Sequence, residues 1–155
     1  MTVFRDSEDT ALRYTVRCDR SWRTRHASVV GWVGDRSVGL DLRRDDDGAW
    51  LLNGEAAESV RGCVDIDLNF TPATNLLPLR RLTFALGEQV EVRAAWLEWP
   101  EARLLPLAQR YCRRSHTTYD YEADLPGNQR FIARLEVDDS GWVVKYGDLW
   151  RAERA

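Results

Sequence analysis

Turn-forming dipeptides recur along the chain and divide it into short segments rich in aliphatic, β-branched and aromatic residues. Asp47-Gly48 and Asn53-Gly54 are two of these pairs, and such pairs favour the tight turns that join antiparallel strands. The strand-like segments between turns are 12–18, 27–33, 37–43, 49–52, 59–70, 79–85, 90–96, 119–123, 131–137 and 142–146. Many short strands with closely spaced turns indicate a sandwich, a barrel or a wrapped sheet. The sequence therefore predicts an all-β protein built from antiparallel hairpins.

Helix signals are weak by comparison. Residues 55–60 form a short helix candidate, and the longer candidate at 102–113 is interrupted by Pro106, which removes a helical hydrogen bond and clashes with the preceding turn. No internal repeat, low-complexity tract or linker divides the chain. A length of 155 residues therefore predicts a single domain over residues 1–155.

Composition and charge narrow the expected partners and compartment. A net charge of -3 gives no general attraction to nucleic acid or anionic membranes. The three cysteines are widely spaced, as is usual for reduced thiols in a cytosol. The charged first ten residues cannot form the apolar part of a signal peptide, and no later run approaches the ~20 apolar residues of a membrane span. We therefore predict a soluble, cytoplasmic protein with no nucleic-acid partner and no membrane insertion; homo-oligomerisation stays open.

One predicted strand carries an unusual polar face. Cys63, Asp65, Asp67 and Asn69 alternate with apolar residues between positions 63 and 70, so they point to one side of an extended chain. Gly62 lies inside the predicted strand 59–70, where a glycine tends to mark a bulge or bend. A loop between Pro72 and Pro78 follows. This face either meets water or lines a polar site, and periodicity alone does not decide between the two.

The motifs of common active sites are absent or incomplete. Asp65, Asp67 and Asn69 have the opening spacing of a calcium loop, but Phe70 and Leu76 occupy the positions that require glycine and glutamate. The sequence has no zinc-ligand spacing, nucleophile motif or phosphate-binding glycine loop. We therefore predict neither a metal nor a cofactor.

Two further features leave alternatives open. Asp65 and Asp67 would lie about 7 Å apart on a strand, a separation that inverting glycoside hydrolysis can use, although a solvated or ion-paired strand face is commoner. Tyr119 and Tyr121 share one face of another predicted strand. They either pack in the core or present their hydroxyls to a cavity.

Several blocks of the chain together resemble a known bacterial family. They are LDLRRDDDGAWLLNG (40–54), GCVDIDLNFTPATNLLPLRRL (62–82), VRAAWLEWP (92–100), QRYCR and YDYE (within 109–122), FIARLEVDDSGWVVKY (131–146) and LWRAE (149–153). The family is the one described as "putative glycolipid-binding", and GC-x-DIDL and TP-x-TN-x-LP-x-RR are the most specific blocks. The resemblance covers about residues 8–153, the core of the predicted domain.

The resemblance implies a fold and a class of ligand. The family is similar in fold to the strongly curved, open or partly closed β-barrels of lipoprotein and glycolipid carriers. A non-enzymatic protein that binds an amphipathic small molecule, such as a glycolipid, is therefore expected. The expected ligand-binding residues are Asp65, Asp67, Asn69, Asn75, Arg80, Arg81, Trp96, Tyr119 and Tyr121.

Two other roles for the carboxylates are kept as alternatives. One is a hydrolase of a sugar-containing substrate, with Asp65 and Asp67 as its acid and base. The other is a structural network in which Asp65 and Asp67 pair with Arg80 or Arg81 and only brace the barrel.

Overall fold

The computed structural model describes residues 2–5 and 9–153, which form mostly β-strands. The strands are β1 (Thr2–Arg5), β2 (Asp9–Cys18), β3 (Thr24–Val33), β4 (Arg36–Arg44), β5 (Trp50–Leu52), β6 (Glu55–Ala56), β7 (Asp65–Asp67), β8 (Gln89–Glu98), β9 (Arg103–Arg113), β10 (Thr118–Leu125), β11 (Gln129–Val137), β12 (Val143–Tyr146) and β13 (Trp150–Arg151). Helical structure comprises α1 (Leu76–Arg81) and 3₁₀ turns at Glu58–Val60 and Pro72–Asn75. Within these described residues, no helix has the length and apolar character required to cross a bilayer. The all-β prediction is confirmed.

The strands form two sheets of consecutive neighbours. One sheet has the order β1-β2-β3-β4-β5-β6, and the other has the order β13-β12-β11-β10-β9-β8-β7. The sheets meet where the Thr24 amide donates to the Val64 carbonyl at 3.1 Å and the Ile66 amide donates to Thr24 Oγ1 at 3.1 Å. The result is a strongly curled, open half-barrel, which confirms the predicted fold.

The seven-stranded sheet separates two hydrophobic cores. Ile66, Ala95 and Leu97 belong to the first core, whereas Trp96 belongs to the second, which also contains Tyr111 and Tyr121. Successive side chains of a strand point to opposite faces, so β7 and β8 contribute to both cores. Asp67 pairs in register with Trp96 and therefore lies on the face of the second core.

The predicted long strand at 59–70 is wrong. The chain instead makes a 3₁₀ turn, passes Gly62 at φ +82° and forms only the three-residue strand β7. The Gly62 amide donates to the Gly48 carbonyl at 2.9 Å, and this hydrogen bond does not belong to a ladder between paired strands. Strand β7 pairs in parallel with β8. Since parallel pairing links segments distant in sequence, no local pattern could reveal it.

The two helix candidates and the strand at 79–85 are also wrong. Residues 55–60 contain β6 and the first 3₁₀ turn, and the predicted strand at 79–85 begins inside helix α1. Residues 102–113 contain β9, in which Pro106 pairs with Ala95 of β8. Pairing of β9 with β10 extends only to Ala108, so Pro106 lies where β9 has a neighbour on one side. Proline is tolerated at such an edge position.

Candidate functional site

A cavity of about 180 Å³ opens on the second-core face of the seven-stranded sheet. Its lining residues are Asp67, Asn69, Trp96, Leu107, Tyr121, Ala123, Leu125, Phe131, Tyr146 and Leu149. Most come from neighbouring strands between β7 and β12, where alternate residues share one face. We call it the tyrosine cavity, after Tyr121 and Tyr146.

Asp67 lies in this cavity without a cationic partner. Its Oδ2 accepts a hydrogen bond of 2.6 Å from Gln109 Nε2, and no arginine or lysine among the described residues pairs with it. All fully buried side-chain oxygens and nitrogens in the described part of the chain have hydrogen-bond partners. The second carboxylate oxygen of Asp67, which has no such partner, therefore reaches the cavity. Burial raises the pKa of Asp67 to about 6, and the Gln109 hydrogen bond opposes this shift.

Gln109 connects Asp67 to the Tyr121 hydroxyl. Its buried amide also donates to the Tyr121 hydroxyl at 2.9 Å, and Tyr146 packs against Tyr121. The Tyr121 and Tyr146 ring centroids are 5.9 Å apart. Burial raises the pKa of both phenols well above its ordinary value. The two tyrosines are therefore neutral hydrogen-bonding groups near pH 7 and cannot act there as bases.

A second branch of buried polar groups approaches from the Pro72–Asn75 turn. The Tyr111 hydroxyl donates to Asn75 Oδ1 at 2.7 Å, and Asn75 Nδ2 donates to the Pro72 carbonyl at 3.0 Å. Tyr111 also lies 3.4 Å from Gln109 Oε1, although its one proton serves the shorter contact. Asn75 therefore positions Tyr111 beside the cavity, although Asn75 itself does not line the cavity.

Asp65 has a different environment from Asp67. Its carboxylate is 2% exposed and forms a bidentate ion pair with Arg81 of helix α1. Burial raises the pKa of Asp65, and the Arg81 contact opposes that effect. Because Asp65 is committed to Arg81 and does not line the tyrosine cavity, the two carboxylates do not form a catalytic pair there.

The structure separates the nine residues expected to bind ligand. Asp67, Asn69, Trp96 and Tyr121 line the tyrosine cavity, and Asn75 bonds Tyr111 beside it. The others lie elsewhere: Asp65 and Arg81 pair with each other, Tyr119 packs against Phe84 at a centroid distance of 5.6 Å, and Arg80 lies 5.5 Å above the Trp22 ring.

Sequence reasoning missed Gln109, Phe131, Tyr146 and Leu149. The weak helix signal at 102–113 hides the strand face on which Gln109 lies. The alternation of Leu107, Gln109 and Tyr111 on one strand face was the signal that could have found it.

A more basic cavity lies on the six-stranded sheet. It measures about 480 Å³ and is lined by Arg17, Arg25, His26, Arg43, Arg44, Asp45 and Leu51. Acidic groups already neutralise much of it: Arg25 pairs with Asp46, and both His26 and Arg43 contact Asp41 at 2.7 Å. Its charge pattern therefore does not favour phosphate binding. In the described part of the chain, no group of three or more His, Cys, Asp and Glu residues is placed to hold a metal ion.

Comparison with known proteins shows what the chain is related to. A family model described as "Putative glycolipid-binding" matches residues 1–152. The chain belongs to this family. The matched residues include both specific blocks at 62–82, and the resemblance drawn from the sequence is confirmed.

A solved structure supports the fold. The crystal structure of a DUF1089 family protein from Pseudomonas aeruginosa, at 1.80 Å resolution, is similar with a TM-score of 0.84 and 33% identity. The match covers 96% of this chain and 80% of that one. No curated protein matches the chain.

The Asp67 carboxylate in the tyrosine cavity should lower the free energy of unfolding near pH 7. The pKa of Asp67 in the folded protein, about 6, exceeds its ordinary value of 3.8. As pH rises, the unfolded chain therefore loses this proton at a lower pH than the folded protein does. Stability should therefore fall as pH rises between these two values and stay lower above them. Asp67→Asn should raise the free energy of unfolding by about 2 kcal/mol near pH 7, after allowance for partial solvent exposure.

Urea denaturation of both proteins at several pH values measures this effect. The difference should vanish below the ordinary carboxyl pKa, and Asp35→Asn in the exposed β3–β4 turn should show none. A loss of stability in Asp67→Asn near pH 7 would contradict the prediction.

Proposed function

We propose that this protein binds an amphipathic small molecule without altering it chemically, and that a hydroxylated, glycolipid-like head occupies the tyrosine cavity. The observation that carries this proposal is the Asp67 carboxylate, which lacks a cationic partner among the described residues and has one oxygen directed into the cavity. A desolvated charge is costly unless it is hydrogen-bonded. The hydroxyls of a sugar would supply the missing donors.

The walls of the cavity match the other part of such a ligand. Trp96, Leu125, Phe131 and Leu149 present aromatic and aliphatic surface, and binding pockets typically combine such walls with a few placed polar groups. Tyr121, beside Asp67, is 2% exposed, whereas Leu149 is 71% exposed. The polar head would therefore lie inward and the apolar part would leave past Leu149.

The size of the cavity limits what enters it. A volume of about 180 Å³ is below the roughly 300 Å³ at which pockets for drug-sized ligands begin. A head group of one sugar ring would therefore enter, and the rest of the molecule would lie on the surface. Asn69, at the edge of the cavity, offers an amide to the outer hydroxyls.

Binding is favoured over hydrolysis by the arrangement of the carboxylates. Glycoside hydrolysis ordinarily uses two carboxyl groups on either side of the scissile bond, and Asp67 is the single carboxylate among the lining residues. Membership of a family described as glycolipid-binding supports the same class of ligand.

Binding of octyl β-glucoside below its micelle concentration, measured by titration calorimetry, tests the proposal. We expect binding to the wild type and weaker binding of methyl β-glucoside, which lacks the apolar chain. Asp67→Asn should weaken octyl glucoside binding about tenfold, because a hydrogen bond to a charged group contributes at least about 1.5 kcal/mol.

Asp35→Asn is the matched control and should leave this affinity unchanged. Equal affinities of the wild type and Asp67→Asn would overturn the assignment of the head-group site. Release of glucose from the glucoside would support the hydrolase instead.

A further inference from the structure

A third cavity lies between β2 and the segment 72–81. This apolar groove measures about 250 Å³ and is lined by Tyr14, Val16, Cys18, Trp22, Ala73, Thr74, Leu76, Leu77 and Trp142. It shares no lining residue with the tyrosine cavity. Asn75 lies between residues that line the groove, yet its side chain bonds Tyr111 near the tyrosine cavity. The same segment therefore lines the groove and also holds Tyr111, which lies beside the tyrosine cavity.

The walls of the apolar groove offer few polar groups. The Tyr14 hydroxyl is hydrogen-bonded to Thr71 Oγ1 at 3.1 Å, and Thr74 Oγ1 accepts from the Leu68 amide at 3.3 Å. The other lining side chains are aliphatic, indole or thiol groups. Burial raises the pKa of the Cys18 thiol to about 11, so this group is neutral as well. The groove is therefore suited to a hydrocarbon chain.

The cationic side chain of Arg80 lies beside the apolar groove. The Arg80 guanidinium carbon is 5.5 Å from the centroid of the Trp22 ring. A Cβ at Gly141 would lie 3.7 Å from Arg80 Nε, so Arg80 also adjoins the residue before Trp142. Trp22 and Trp142, which line the groove, are 37% and 51% exposed, and Arg80 adjoins the first of them and the residue before the second.

Arg80 carries a charge that the described residues do not neutralise. It forms no ion pair with them, unlike its neighbour Arg81, which is held by Asp65. A guanidinium is weakly hydrated and matches the planar geometry of a carboxylate, and its position over an indole is favourable for a cation. A ligand with an anionic head and an apolar chain would complement both Arg80 and the groove.

We propose that the apolar groove binds one acyl chain whose anionic head contacts Arg80, as in a fatty acid. The acyl chain would lie against Val16, Leu76 and Leu77, and the carboxylate of the ligand would accept hydrogen bonds from the Arg80 guanidinium. This site is independent of the sugar site proposed for the tyrosine cavity.

Calorimetric titration with decanoate and with decanol separates the two parts of this proposal. Decanoate should bind about fivefold more tightly than decanol, the effect expected of one solvent-accessible ion pair. Across hexanoate, octanoate and decanoate, affinity should rise about fourfold for each methylene until the groove is filled.

Substitutions of Arg80 test the role of the charge. Arg80→Gln should abolish the preference for decanoate over decanol, whereas Arg80→Lys should keep most of it. Arg151→Gln, which removes an exposed arginine on β13, is the matched control and should change neither affinity. Asp67→Asn should also leave decanoate binding unchanged, so a failure of the acyl-chain proposal is distinguishable from a failure of the sugar-site proposal.

A substitution inside the groove tests the location of the bound acyl chain. Ala73→Leu should fill part of the groove and lower the affinity for both ligands at least tenfold. If this variant does not fold, shifts of the Leu76 and Leu77 methyl resonances of the wild type on adding decanoate provide the same information. The proposal would be overturned if decanoate did not bind, or if decanoate and decanol bound with equal affinity. It would also be overturned if folded Ala73→Leu bound both ligands as tightly as the wild type, or if the methyl resonances did not shift.

Discussion

Replacement of Gly31 by alanine is expected to lower the free energy of unfolding by about 3 kcal/mol or more. Gly31 lies on β3 opposite Leu12 of β2, with φ at +154°, a conformation that side chains rarely allow. A Cβ there would lie 1.9 Å from the Ala11 carbonyl oxygen and 3.0 Å from the Leu12 Cα. These are backbone atoms of the paired strand, so relief of the clash requires the two strands to separate.

The neighbouring strand offers a matched control. Gly39 of β4 pairs with Val30, and a Cβ at Gly39 would meet no atom within 4 Å. Gly39→Ala should therefore change stability by less than about 0.5 kcal/mol. Urea denaturation of both variants measures the difference. Similar stabilities of Gly31→Ala and Gly39→Ala would show that β2 and β3 are not held at this distance.

Removal of the Arg81 side chain should destabilise the protein by a comparable amount. Arg81→Met leaves the Asp65 carboxylate buried without its ionic partner, and breaking a buried pair in this way costs about 3 to 5 kcal/mol. Part of the loss should be recovered at low pH, because a protonated Asp65 no longer carries a desolvated charge. Thermal denaturation across a pH series measures both effects.

A double-mutant cycle distinguishes the pair from its separate side chains. Asp65→Asn combined with Arg81→Met removes both charges, so the double variant should be more stable than Arg81→Met alone. Additive losses would contradict a coupled pair. Unchanged octyl glucoside affinity in Asp65→Asn would assign this pair a structural role, whereas a loss comparable to that of Asp67→Asn would place Asp65 in the binding site.

Local sequence patterns were sufficient to predict the hairpins but not the region around β7. The predicted strand at 27–33 corresponds to β3, and the turn residues Gly34 and Asp35 separate it from β4. Such hairpins are determined by neighbouring residues, because alternation and turn chemistry act over a few positions. The prediction at 59–70 failed because Val64 to Phe70 alternate like a strand, although only Asp65–Asp67 find a partner strand.

The sequence by itself determined the antiparallel hairpins, the family and the block at 62–82 in which the carboxylates lie. Only the tertiary structure decided that Asp65 pairs with Arg81, 16 residues away, and Asp67 with Gln109, 42 residues away. The period of a strand places both carboxylates on one face but does not specify which distant element packs against each of them. That packing leaves one carboxylate neutralised by an arginine and the other in a cavity with a free acceptor.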